Sequence, residues 1–370
     1  MKTKEKQRYR NEKQSSMRRV VTGIILFASA FCLLYATANV EGMAQWYTTH
    51  IYPIIVGSVG RVFGWVPFSV SEIGLYFLVL LFAVCLVRLV IQLLRKKWGR
   101  KEAVRLLSRI FLTASILFLL YALNCGINYY RQSFSESIGL VTDTYTVNEL
   151  KEVCERLTED VNARAELVER DGNGIMRLDG SEKEEAVRAM EALGKIYPEL
   201  SGYYPEPKGL LQSEILSIQN LTGVYSPFTV EANYNSDMTD YNIPFTICHE
   251  LSHLRGFMQE EEANFIAWLA CMESDDTAFQ YSGSMLGWIQ CMNVLRDADI
   301  EGWREVRAGL SGSAEADLRA NSDFWAKYKG KVAEVADMVN DNYLKANGQA
   351  DGVKSYNRMV DLLVAYYREG

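Results

Sequence analysis

The sequence predicts a mainly α membrane protein, with three N-terminal transmembrane helices followed by an α+β domain. Three observations carry this expectation. Long apolar runs fill the first third of the chain, charge is divided unevenly between front and back, and the remainder alternates amphipathic helical stretches with one short β-rich segment. A chain of 370 residues is long enough for both parts and a sizeable core.

The apolar runs are Val20 to Val40, Ile73 to Leu94 and Leu106 to Ile127. Each has the roughly 20 residues needed to cross the hydrocarbon layer. Arg88 and Arg109 lie toward the ends of their runs, where a long side chain can snorkel to the interface. The first run is too long for the apolar part of a signal peptide, has no small-residue cleavage pattern and is followed by two more spans, so it reads as a retained anchor.

Orientation follows from charge. Residues 1–130 hold 17 Lys or Arg against 5 Asp or Glu, out of 39 and 46 in the whole chain. The basic residues cluster before the first run and between the second and third, whereas Glu41 to Glu72 contains only Arg61. The positive-inside rule then places the N-terminus in the cytoplasm and everything after the third crossing outside. The expected organisation is a basic cytoplasmic segment 1–19, a membrane domain 20–130 with spans at about 20–40, 73–94 and 106–127, and an extracytoplasmic domain 131–370. Next to a span, the basic N-terminus reads as an orientation signal and lipid-headgroup contact, and no nucleic-acid module is visible.

Between the first two runs, "WYTTHIYPIIVGSVGRVFGWVPFSVSE" is aromatic and weakly charged, which fits a short amphipathic piece at the interface. His50 belongs to that piece, and Ser69 to Glu72 has the form of a capping box before the second span. Seven cysteines without a CxxC exclude a zinc ribbon, and buried free thiols are expected, with Cys248 and Cys271 a conceivable pair.

Beyond the spans, Thr146 to Val168 and Lys183 to Leu200 have helical apolar spacing. The Gly/Asp-rich run between them is a loop: with Asp171 at position 1 of a calcium loop, Ile175 and Met176 fall where oxygen and glycine are required. "GVYSPFTVEANYN", Gly223 to Asn235, reads as a strand or hairpin.

The stretch "NIPFTICHELSHLRG" predicts a helix from about Pro244 to Arg255, with Asn242 as N-cap and Gly256 as C-cap. On it His249 and His253 lie one turn apart on one face and can reach one ion, while Glu250 is placed to accept a proton rather than to ligate. With three histidines in the chain, a chance match to this motif is on the order of two in a thousand.

Hydrolytic zinc requires a third protein ligand. "QEEEANFIAWLAC" offers Glu260, Glu261 and Glu262. Glu260 is preferred because it opens a second helix with an apolar face of Phe265, Ile266, Trp268 and Leu269, and Gly256 permits the reversal that brings the two helices together. Glu262 is the alternative ligand, and Glu261 fits a helix N-terminus favoured by the macrodipole. Asn264, four residues after Glu260, is placed to support a ligand by hydrogen bonding.

HELSH followed by EEEAN resembles the glutamate-zincin metallopeptidases, several branches of which take the third ligand from the first residue of an E-x-x-A-D/N helix motif. Glu260, Ala263 and Asn264 match that motif. The gap between the halves is shorter than in those enzymes. It is similar to the metzincin spacing, whose glycine matches Gly256 but whose third histidine falls on Gln259. Nearly the whole chain also resembles a bacterial membrane family catalogued as domain of unknown function 3810, through "IYPIIVGSVGRVFGWVPFS", "GINYYR", "GVYSPFTVEANYN", HELSH and the C-terminal "YLKANGQADGVKSYNRMVDLLVAYY".

These resemblances imply a zincin-like domain, one Zn2+ per chain and a membrane-anchored zinc metalloendopeptidase acting on a peptide or protein substrate. They also imply a strand along the substrate, for which Tyr225 and Glu231 are the candidates facing the cleft. Tyr356 and Arg358 are candidate donors to an oxyanion. A membrane-anchored metal-binding sensor or scaffold with little turnover is the competing expectation.

Overall fold

The computed structural model describes residues 2–96, 98–347, 349 and 358–369. It is mainly helical, with one small sheet and three helices long and apolar enough to span a membrane. These helices are Lys2–Asn39, Val70–Leu94 and Arg100–Asn124, the last continued by a 3-10 turn at Gly126–Tyr130. The first begins well before the expected span, because the Lys-, Glu- and Gln-rich segment ahead of it contains good helix formers and no breaker.

The first and third spans pack together. Gly23 permits the approach: a Cβ there would meet the Phe111 ring at 2.7 Å. The Phe27 and Phe118 rings meet nearby at a tilt, with 5.0 Å between centroids. The second span is different, since Glu72 in its first turn is its only buried residue.

Short helices between the first two spans, Met43–His50, Tyr52–Ile55 and Arg61–Gly64 with a π turn at Val56–Gly60, alternate buried Ala44, Tyr47, Tyr52 and Val56 with exposed Trp46, Ile54 and Val62. The segment bridges two parts of the molecule. The Tyr47 hydroxyl donates to the Leu123 carbonyl at the end of the third span at 2.9 Å, and the Tyr52 hydroxyl donates to the Leu254 carbonyl at 3.0 Å.

The helix Val147–Ala165 carries the expected amphipathic face, starts with a Thr146/Glu149 capping box and buries Leu150, Val153, Leu157 and Val161. It packs on Thr277–Ala298, where Trp288 Nε1 donates to Thr158 Oγ1 at 2.8 Å. The loop at Asp171 is an Asx turn, its carboxylate accepting from the N–H groups of Asn173 and Ile175.

The sheet has the order β1-β3-β2, with β1 (Lys208–Gly209) parallel and β2 (Gly223–Ser226) antiparallel to β3 (Glu231–Tyr234). In the β2/β3 hairpin Gly223 pairs with Tyr234 and Ser226 with Glu231. Val230 precedes β3 at φ 55, a strained conformation for a β-branched residue, yet it is fully buried. All seven cysteines are free thiols.

Candidate metal centre

The histidine helix runs Ile243–Leu254, within a residue of expectation at each end. Asn242 precedes it without capping through its side chain. Its amide instead donates to Thr239 and Asn321, and Ser282 Oγ accepts the Phe245 N–H. At the other end Gly256 adopts φ 95 and the Phe257 N–H returns to the Ser252 carbonyl at 3.1 Å, closing a Schellman turn. The chain then reverses into the helix Glu260–Met272, whose Phe265, Ile266, Trp268 and Leu269 are all buried.

That reversal brings His249, His253 and Glu260 together. One ligand atom from each lies within 4.8 Å of the others, and all three residues are buried. Glu260 Oε2 is 3.3 Å from His249 Nε2 and 3.7 Å from His253 Nε2. The imidazoles meet edge to face with centroids 4.5 Å apart. His253 Nδ1 lies 2.8 Å from the Phe257 carbonyl, which can only accept, so Nδ1 carries the proton and Nε2 is free to ligate.

Electrostatics reinforce the grouping. Burial alone would lower His253, but Glu260 pushes it up to about 9. Burial alone would raise Glu260, but the two imidazoles hold it well below the usual carboxylate range. Burial pushes Glu250 up to about 7, with the imidazoles opposing and Glu260 adding to the rise. Among the described residues, Glu250 Oε2, Glu260 Oε2, His249 Nδ1 and Asn264 Nδ2 are buried polar atoms without a hydrogen bond. The ligand atoms of His249, His253 and Glu260 lie close enough to hold one metal ion, and the unpartnered Glu260 Oε2 among them suits a cation.

The three consecutive glutamates diverge. Glu260 joins the histidines, Glu261 accepts from Gln349 Nε2 at 2.8 Å, and Glu262 accepts from both the N–H and the hydroxyl of Ser135, at 2.9 and 2.6 Å. Glu262 is therefore engaged by Ser135, outside the His249/His253/Glu260 group.

The family model described as Protein of unknown function (DUF3810) matches residues 47–364, from the interfacial helices to the last described helix. The chain belongs to this family. No curated protein and no solved structure matches it. The DUF3810 match thus begins after the first long apolar helix and covers the other two together with the His249/His253/Glu260 group.

The other anticipated residues of this DUF3810 chain lie elsewhere. Tyr225 is buried with its hydroxyl 2.9 Å from that of Tyr52 and 3.2 Å from the Asn124 carbonyl, so it ties β2 to the third span instead of facing a cleft. Glu231 is buried in an ion pair with Lys208 at 2.5 Å and accepts the N–H groups of Val70 and Ser71 at 3.0 and 2.9 Å, capping the second span. Asn264 is buried beside Ala263 but shows no bond from Nδ2 to a ligand. Arg358 is exposed, its charge acting on Glu261 and Asp361, and Tyr356 lies outside the described residues. His50 stacks on Trp46 in the interfacial helix, with 5.6 Å between centroids.

The Ser69–Glu72 capping box is half formed. Ser69 accepts the Glu72 N–H at 3.1 Å, but the Glu72 carboxylate turns away and accepts from Leu211 and Gln212, each at 2.9 Å.

Sequence reasoning missed the groups that brace the turn after His253. The Arg131 guanidinium lies 3.6 Å above the Phe257 ring and donates to the Arg255 carbonyl at 3.3 Å. Tyr52 holds the Leu254 carbonyl beside it. Cys125, Tyr129 and Tyr343 form a second group, with the Tyr343 hydroxyl 3.3 Å from Cys125 Sγ and Cys125 Sγ 3.7 Å from Met258 Sδ. The run "GINYYR" contains part of both groups, but nothing local in it marks a contact with the histidine turn.

Proposed function

We propose that this DUF3810 protein is a membrane-anchored zinc-dependent metallopeptidase that hydrolyses peptide bonds of extracytoplasmic polypeptides. The observation that carries the reading is the buried convergence of His249, His253 and Glu260 next to a fourth group, Glu250, that the cluster does not need as a ligand. Zinc is the usual occupant of two histidines and one carboxylate, and when bound it supplies Lewis-acid polarisation of a carbonyl and acidification of water. His249, His253 and Glu260 would hold it, with the His253 ring oriented by the Phe257 carbonyl. Glu250, buried beside the two histidines and outside the ligand set, would take a proton from the attacking water and return it to the leaving amine. The distribution of basic residues supports an extracytoplasmic domain 131–370 behind three spans and a cytoplasmic segment 1–19.

One contact favours a second reading. Gly223 of β2 lies so close to Glu250 that a Cβ there would meet Oε1 at 2.4 Å, so the strand covers the candidate base. A metal-binding sensor or scaffold with little turnover would keep its base covered in this way.

The test is the metal content of the full chain, purified in detergent, beside His253→Ala and Glu260→Ala, followed by a peptide-library screen of wild type and Glu250→Gln. Zinc lost in both ligand variants, and cleavage lost in Glu250→Gln with zinc kept, supports the peptidase. Zinc without any cleavage by wild type supports the sensor.

A further inference from the structure

We propose that the metal-site half of the chain carries a membrane contact of its own: Leu211, Ile215, Ile218, Val224 and Phe228 form an apolar edge seated in the interfacial zone of the leaflet where the second span begins and the third ends.

All five side chains are exposed, Leu211 at 61% and Phe228 at 44%. Leu211, Ile215 and Ile218 follow at helical spacing through the turn and short helix Glu214–Ile218, so they share a face. Val224 is the outward residue of the edge strand β2, and Phe228 stands in the hairpin that follows it.

The depth of this edge is set by bonds to the ends of two spans. The Leu211 and Gln212 N–H groups donate to Glu72 in the first turn of the second span. The Pro227 carbonyl, next to Phe228, accepts from Asn124 Nδ2 at 2.7 Å, and Asn124 is the last residue of the third helical span. Glu231, closing the same hairpin, caps Val70 and Ser71. The segment is thus pinned at three points to places where hydrocarbon gives way to headgroups. Trp65, 89% exposed, lies five residues before the second span begins, where an aromatic suits the interface. A lipid surface is the occupant these attachments select, because they bring the exposed apolar residues to the level of the bilayer whatever else binds. The contact is independent of hydrolysis, but it lies close to the candidate base: Val224 follows Gly223, which touches Glu250.

The experiment is photocrosslinking of the full chain in nanodiscs of phosphatidylcholine and phosphatidylglycerol. p-Benzoylphenylalanine is placed singly at Ile218, Val224 or Phe228, at Phe82 inside the second span, and at Ile300, an exposed apolar residue with no bond to a span end. Phospholipid adducts at the three edge positions and at Phe82, with at least fivefold less at Ile300, are expected. Adducts at Phe82 but none at the edge overturn the proposal, as does equal labelling at Ile300. Crosslinks from the edge to a second protein chain also overturn it, assigning the edge to a protein partner.

Discussion

His253 donates its Nδ1 proton to the carbonyl of Phe257, 2.8 Å away, and this one bond decides that Nε2 faces Glu260. The carbonyl is held there by the turn at Gly256, whose left-handed φ of 95 a side chain rarely adopts. A Cβ at that position would also press on Tyr52 at 3.1 Å and Arg131 at 3.2 Å. Gly256→Ala is expected to cost about 1–3 kcal/mol of stability and to weaken zinc binding about 10–100-fold. Competition with a chromogenic chelator measures the second effect, and unchanged affinity would count against the orienting role of Phe257.

The three glutamates are separable by experiment. Glu260→Ala is expected to lose zinc. Glu262→Ala should keep it, but unfold at lower temperature, because Ser135 loses the acceptor for two buried donors at a cost of about 1–3 kcal/mol. Zinc stoichiometry and a melting curve on the same samples decide. Loss of metal in Glu262→Ala with full retention in Glu260→Ala would exchange their roles.

The metal-free protein should lose stability as pH rises from 6.5 to about 9. His253 has its folded pKa raised to about 9, so its contribution is complete below its ordinary value of 6.5 and is lost on passing through 9. Glu250 acts in the same direction, since its folded pKa is raised from 4.5 to about 7. Zinc reverses the slope, because it displaces the proton that the empty site holds and binds more tightly as pH rises. Melting temperatures with and without zinc across this range should diverge with increasing pH, and parallel curves would refute the coupling.

Glu231 pairs with Lys208 and holds the first turn of the second span. Burial alone would raise its pKa, but Lys208 and the N–H groups of Val70 and Ser71 keep it low. Glu231→Ala strands a buried ammonium and is expected to destabilise by about 3–5 kcal/mol, with zinc still stoichiometric in the folded fraction. If Glu231→Gln instead removed peptide cleavage without moving the melting temperature, the residue would belong to substrate binding.

Local signals carried the reading of the histidine helix, its glycine turn and the glutamate helix. Each depends on residues within a few turns of one another, where spacing alone fixes which side chains share a face. The three long apolar helices were legible for the same reason, since each rests on a run of about 20 mainly apolar residues. What spacing could not supply was the partner of a polar residue on a strand. Glu231 and Val70 are 161 residues apart, and a carboxylate on an alternating pattern looks the same whether it will meet a substrate or a helix end. Tyr225 and Tyr52, 173 apart, pose the same difficulty. Glu72 matched a capping box from its neighbours alone, while the Leu211 and Gln212 N–H groups that claim it come from 139 and 140 residues away.

A helix fastened only at its first turn behaves as a lever. Among the described residues, the second span is clamped by Glu231 at Val70 and Ser71 and by Glu72 at Leu211 and Gln212, and its remaining length, about 35 Å at 1.5 Å per residue, is exposed. Spans tilt when bilayer thickness changes, and a tilt of this one turns about the clamp. Torque arriving there loads β3 through Glu231 and, through the pairing of Ser226 with Glu231 and Gly223 with Tyr234, reaches the strand resting on Glu250. A change in the tilt of that helix would therefore bear first on the hairpin that lies over Glu250.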